Sequence, residues 1–184
     1  MAAIRDAAWR LFSDRGYART TIAAIAAEAG VAVPTAYFCF GSKAAIASGL
    51  SEVVERQAGI IPLHQEALAE PDPHRRLELI VAIARRTGEV TARFLDIVRA
   101  SREPALLDAW DRIDRNGRSG IGEVVDKIAR SDSMRVGLTP ARAADMVWAM
   151  TSPEVYVRLT KGAEWSGKEY EANLVAALAA FILA

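Results

Sequence analysis

Cysteine and histidine are almost missing from this chain, which has one cysteine, Cys39, and two histidines, His64 and His74. A lone cysteine excludes an internal disulfide and fits a reducing compartment. His64 and His74 lie beside predicted helix ends near prolines, and neither has a second ligand at helical spacing, so no metal and no cofactor are expected. Cys39 lacks a histidine to activate it, and Gly117, Gly120 and Gly122 lack the strand and lysine of a phosphate-binding loop. An enzyme is therefore not expected. Net charge is absent too, with 23 basic and 23 acidic side chains. Long apolar runs are missing: the longest uncharged one, Leu174 to Ala184, is about half of the ~20 residues a bilayer helix requires. The first residues show no signal-type apolar run, so a cytoplasmic location is expected. Repeats and low-complexity tracts are absent, and Val and Ile never alternate strictly over a strand's length, which predicts an all-α protein.

What is present is concentrated in Thr20 to Lys43, T-T-I-A-A-I-A-A-E-A-G-V-A-V-P-T-A-Y-F-C-F-G-S-K. Ile22, Ile25, Ala26 and Ala29 repeat at helical spacing behind a threonine able to cap the first turn, and Gly30 supplies the left-handed residue that ends a helix. Pro34 suits the first turn of the next helix, because it has no N–H to lose there. Two short helices so closely joined pack steeply across each other, as a helix-turn-helix, whose second helix is sized for the DNA major groove. Ahead of them Ile4, Ala7, Ala8, Leu11 and Phe12 make one apolar stripe, so a third helix can cover the pair.

The segment resembles the DNA-binding domain of TetR-type transcriptional regulators. The matching residues run in order: Ala7, Ala8, Leu11 and Phe12, Gly16-Tyr17, Thr20-Thr21, Ile25-Ala26, Ala29-Gly30-Val31, Thr35, Tyr37, Phe40 and Ser42-Lys43. The resemblance implies that Thr35, Tyr37 and Lys43 contact phosphates. Ser42 can cap the following helix and present its N-terminus, beside Lys43, to a phosphate, and Thr21 is a further hydroxyl candidate. Base reading falls to Val33, Pro34 and Phe38, with Ala36 and Cys39 between them, and these offer few hydrogen-bonding groups. Where the family often has Ser or Thr, and then His, this chain has Ala32 and Cys39. Thymine methyl contacts and DNA shape are expected to supply a modest specificity. The first 50 residues carry five basic against three acidic side chains, a net +2.

Behind this head, expected to span residues 1–46, residues 47–184 read as a helical effector-binding and dimerisation domain. A helix from Ser42 toward Ile61, closed by Pro62, is expected to join the two. Asp72-Pro73 opens a helix with Leu77, Ile80, Val81 and Ala84 on its buried face, and a helix through Phe94, Ile97 and Val98 stops before Pro104. From Ala105 the pattern continues to Ala129, with Gly117, Gly120 and Gly122 either bending or splitting it. Thr139-Pro140, Ser152-Pro153 and Ser166 with Glu169 each signal a further helix start.

The last helix is apolar nearly all round, which predicts burial against a second copy, the alternative being a monomer with that helix sunk in its own core. Val147, Thr151, Leu174, Val175, Leu178, Phe181 and Ile182 are the expected homodimer contacts. Ala143 to Tyr156, with Trp165 and Tyr170, also resembles the C-terminal domain of one large group of these regulators, which pair their last helices into a four-helix bundle. The resemblance implies a small-molecule pocket among the middle helices, for which Phe94, Ile97, Trp110, Met146, Trp148 and Met150 are the candidates. The expected whole is a repressor released from a palindromic double-stranded operator by a small-molecule effector. An all-α interaction module without a DNA role would keep the apolar last helix, but would not account for Thr35, Tyr37, Ser42 and Lys43 together.

Overall fold

Helix starts follow the polar residues that can serve them. The side chains of Thr21, Ser42, Thr139, Ser152 and Ser166 each accept a backbone N–H three residues on, from Ala24, Ala45, Arg142, Val155 and Glu169. Each such bond satisfies one of the donors that a helix start leaves without a partner. At Ser166 the exchange is reciprocal, because Glu169 accepts the backbone N–H of Ser166 at 2.7 Å. The computed structural model describes residues 1–101, 103–131 and 133–184. Among these the chain is all-α: α1 (Ala2–Arg15), α2 (Ile22–Glu28), α3 (Val33–Phe40), α4 (Lys43–Ser48), α5 (Leu50–Gln57), α6 (Ile60–Ala69), α7 (Pro73–Ser101), α8 (Pro104–Ala129), α9 (Pro140–Met150), α10 (Pro153–Val157) and α11 (Gly167–Ile182). A π-turn, Arg158–Gly162, extends α10. No single described helix is long and apolar enough to cross a membrane.

The chain divides into two compact units. The first comprises Met1–Gln57 and Thr91–Ile113. Its core is the stripe read from α1, namely Ile4, Ala7, Ala8, Leu11 and Phe12, joined by Ile25 and Ala26 of α2, Ala36 of α3, Ile46 of α4 and Val53 and Val54 of α5. Trp9 stacks on Phe94 of α7 with ring centroids 4.6 Å apart. The second unit comprises Ala58–Val90 and Asp114–Ala184. Leu77, Ile80 and Val81 of α7, Val124, Val125 and Ile128 of α8, and Val147 of α9 are buried there with Tyr156 and Tyr170.

Three expectations about helices are corrected. The joining helix is not one rod: it breaks at Gly49 and again at Gly59, whose φ of 62° is left-handed. At Gly49 the backbone is crowded from elsewhere in the fold, since a Cβ there would lie 2.6 Å from Arg5 Nε of α1. Pro62 does not close a helix. It stands in the first turn of α6, where the N–H it lacks would have no intrahelical acceptor. Asp72-Pro73 opens a helix that runs unbroken through Phe94 to Ser101, and α8 passes all three of its glycines without splitting.

Much of α11 finds its cover within the chain itself. Leu174, Leu178 and Ile182, with Tyr170, are buried in the chain's own second unit, as are Val147 of α9 and Thr151 just after it. Val175 and Phe181 are half-buried against the same core. The side of α11 left in solvent carries Lys168 and Glu169 in its first turn and then Ala172, Asn173, Ala176, Ala177 and Ala180. Alanine counts as apolar in a pattern, yet its exposure costs little, so a helix of this composition needs only its large side chains covered.

Candidate nucleic-acid interface

α2 ends in a Schellman turn: Val31 N–H donates to Ala26 O at 3.0 Å and Gly30 N–H to Ala27 O at 3.2 Å. Gly30 carries the φ of 67° this requires. The chain then restarts as α3 after an extended Ala32, and the two helix axes turn by 110° across the break. That lies within the range of roughly 90–120° of helix-turn-helix motifs. Ala36, 1% exposed, is the α3 residue seated in the core, and a side chain no larger than a methyl lets α3 approach closely. Across the helix from it stand Val33, Tyr37 and Phe38, exposed by 37%, 51% and 93%, with Pro34 and Thr35 also in solvent. Cys39 is half-buried.

Two side chains hold this helix in place from outside it. The guanidinium of Arg5 lies over the Phe40 ring, 5.5 Å from its centroid, fills the space beside Gly49, and pairs with Glu52 of α5. Lys43 does more than the sequence implied. Its ammonium donates to Tyr17 O at 2.9 Å and Thr20 O at 3.0 Å, and sits 4.0 Å from the centre of the Tyr17 ring. It thereby bridges the loop after α1 to the start of α4, satisfying two carbonyls that no helix serves. Burial, and then the Glu103 carboxylate, push the Tyr17 phenol above its ordinary value, so the ring under the cation stays neutral. An ammonium has three N–H groups, and one is left for a further acceptor.

The threonine pair divides its work. Thr20 is buried and donates its hydroxyl to Gly16 O at 2.8 Å, whereas Thr21 is exposed and caps α2. Thr21 and Ser42 each use an oxygen lone pair to accept an N–H, which leaves the hydroxyl hydrogen available to an outside acceptor. Thr21, Val33, Pro34, Thr35, Tyr37, Phe38 and Ser42 are thus all exposed, and Lys43 is half-buried.

The effector candidates are not gathered in either unit. Phe94, Ile97 and Trp110 fall in the first unit, and Met146, Trp148 and Met150 in the second. Phe94 is fully buried under Trp9, which makes it core. Met146 is 40% exposed. Trp148 donates its indole N–H to Asp114 at 2.9 Å, and Arg118, paired with Asp145 at 2.7 Å, lies 5.0 Å over the indole. Both the polar edge and one face of that ring are therefore occupied. Sequence reading missed the Trp148–Asp114 and Lys43–Tyr17 contacts because both join distant segments. Among the described residues no three of His, Cys, Asp and Glu stand together as a metal site.

Comparison with known proteins agrees with this geometry. Residues 4–50 match the family model described as bacterial regulatory proteins, tetR family. No curated relative matches the chain. Among solved structures it is similar to a protein from Mesorhizobium loti described as a TetR-family transcriptional regulator, at TM-score 0.76 and 20% identity, covering 100% of this chain and 96% of that one. It is similar to the transcriptional regulator FadR from Bacillus subtilis, solved with stearoyl-CoA, at TM-score 0.72 and 21% identity, covering 96% of each chain. It is also similar to NalD of Pseudomonas aeruginosa, the secondary repressor of the MexAB-OprM multidrug efflux pump, at TM-score 0.70 and 22% identity, covering 99% of this chain and 94% of that one.

Proposed function

We propose that this chain, whose residues 4–50 match the tetR-family model, is a cytoplasmic DNA-binding repressor that holds a palindromic operator as a homodimer and lets it go when a small molecule binds. One observation carries the reading above all: α3 meets α2 at 110° and turns Val33, Pro34, Thr35, Tyr37 and Phe38 outward as one continuous face. A helix so presented enters the major groove, while groups around its ends meet the phosphates on either side. The groups that donate to the phosphates are the hydroxyls of Thr21, Thr35, Tyr37 and Ser42 and the remaining N–H of Lys43. They fix position and give a salt-dependent affinity that is indifferent to sequence.

Residues 1–46 do this work, and residues 47–184 bind effector and partner. Two heads related by a dyad read half-sites about one helical turn, ~34–36 Å, apart. The exposed alanine side of α11 supports a pairing surface of close-packed helices, now without the buried Leu174, Leu178 and Ile182. The effector acts through its differential affinity for the DNA-binding and released conformations. That FadR was solved with stearoyl-CoA supports an effector with a large apolar part. Repression, in place of activation, is supported by NalD.

The experiment is a selection of bound duplexes from a random pool. Two inverted half-sites with one fixed spacing are expected. A pool that stays random, with binding insensitive to salt, would remove the DNA reading altogether.

A further inference from the structure

Resting on the DNA-binding reading above, we propose that α3 reads the C5-methyl groups of pyrimidines in the major groove, with Phe38 as the specificity-determining residue. The helix is Val-Pro-Thr-Ala-Tyr-Phe-Cys-Phe and holds no Arg, Lys, Asn, Gln, Asp or Glu. The bidentate pairs that identify guanine or adenine cannot be made from such a helix. Its hydroxyls, on Thr35 and Tyr37, stand at the positions assigned to phosphate.

What projects instead is a hydrocarbon surface. Phe38 is 93% exposed, an extreme value for a phenyl ring, with the exposed Pro34 one turn before it on the same face and Val33 and Tyr37 exposed elsewhere on the helix. The ring's support is rigid, because Ala36 is packed behind it and Phe40 is held under Arg5. A large apolar group left in water on a fixed helix face marks a surface that gains its cover on binding. The apolar feature of the major-groove floor is the methyl on C5, present on thymine and on 5-methylcytosine and absent from uracil and cytosine. A reader of this kind recognises the methyl more than the base that carries it.

The test uses the full-length chain and a duplex recovered from the random pool. Each thymidine in turn is replaced by 2′-deoxyuridine, which keeps the base pair and deletes the methyl. At one or two positions per half-site, affinity is expected to fall about 4-fold, the effect of one buried methyl-sized group. At a cytosine next to those positions, 5-methylcytosine is expected to bind more tightly than cytosine. Phe38→Ala, an exposed substitution that leaves the melting temperature unchanged, is expected to bind the thymidine and deoxyuridine duplexes equally, with an unaltered salt slope. Tight binding to the recovered duplex with no deoxyuridine effect at any position would overturn methyl reading and leave the DNA function standing. A deoxyuridine effect that persists in Phe38→Ala would overturn the assignment to that residue. Failure to recover any duplex would remove both.

Discussion

The Tyr156 side chain lies directly on the backbone of Gly88, so that a Cβ at Gly88 would fall 2.8 Å from Tyr156 Cβ and closer still to the ring carbons Cγ and Cδ1. Tyr156 in turn meets Tyr170 edge-on, with centroids 5.1 Å apart. The contact joins α7, α10 and α11 into one layer of the second unit.

Gly88→Ala should therefore destabilise the chain. In an open helix interior the same change stabilises by up to about 1 kcal/mol. Here the clash is with the root of the tyrosine side chain, which cannot swing aside, and overpacking of this kind costs about 1–3 kcal/mol. Denaturant unfolding of a double-mutant cycle with Tyr156→Ala checks the cause, because Gly88→Ala should cost nothing in that background. An equal loss in both backgrounds would point away from the ring.

Tyr170→Phe should have the opposite sign. The Tyr170 hydroxyl is fully buried and has no hydrogen-bond partner among the described residues. Removing an unsatisfied buried group stabilises by about 1 kcal/mol or more. Burial, then Tyr156 and Glu171, push the phenol of Tyr170 far above its ordinary value of 10.0. The native state therefore keeps a proton that the unfolded chain releases, and stability falls as pH rises past 10.0. Unfolding of Tyr170→Phe between pH 8 and 11 should show a shallower decline, with a remainder from Tyr156, which burial also raises.

Lys43→Met keeps the length of the side chain and removes its N–H donors. Two carbonyls, of Tyr17 and Thr20, lose a charged donor, so the head should lose about 1–3 kcal/mol. If the third N–H meets a phosphate, the slope of log affinity against log salt also falls by about 0.9 per head. Thermal melts and a salt titration separate these effects. A lower melt with the slope intact would make Lys43 a clamp alone.

Ala177→Glu probes the proposed pairing surface. Ala177 is exposed on α11, so the change should leave the melting temperature nearly unaltered. It should nevertheless halve the sedimenting mass, because it buries a charge between two closely packed helices. A wild-type monomer would end the homodimer proposal, and a variant that stays dimeric would move the interface off this side of α11.

What the sequence revealed and concealed divides by the range of the forces involved. The helix-turn-helix was legible because Thr21, Gly30 and Pro34 act within a few residues of themselves, and the starts at Thr139, Ser152 and Ser166 were legible for the same reason. The break at Gly49 was not, and the side chain that crowds this glycine, Arg5, comes from far off in the chain. Gly120 is a strong breaker locally, yet α8 continues through it, with His64 of α6 set against it and hydrogen-bonded to its carbonyl at 3.2 Å. The hydroxyls of the proposed interface were named by resemblance, but the two carbonyls beneath Lys43 could not be. The pocket candidates were chosen for size and polarisability, properties that serve a core equally well, and Phe94 is core.

The double anchorage of Lys43 has an entropic consequence. A free lysine has several rotatable bonds, and fixing them costs up to about 2 kcal/mol, normally when the partner arrives. Here the loop carbonyls and the tyrosine ring hold that chain as the head folds, so that, on the proposed DNA contact, an arriving duplex would have little freedom left to take from it.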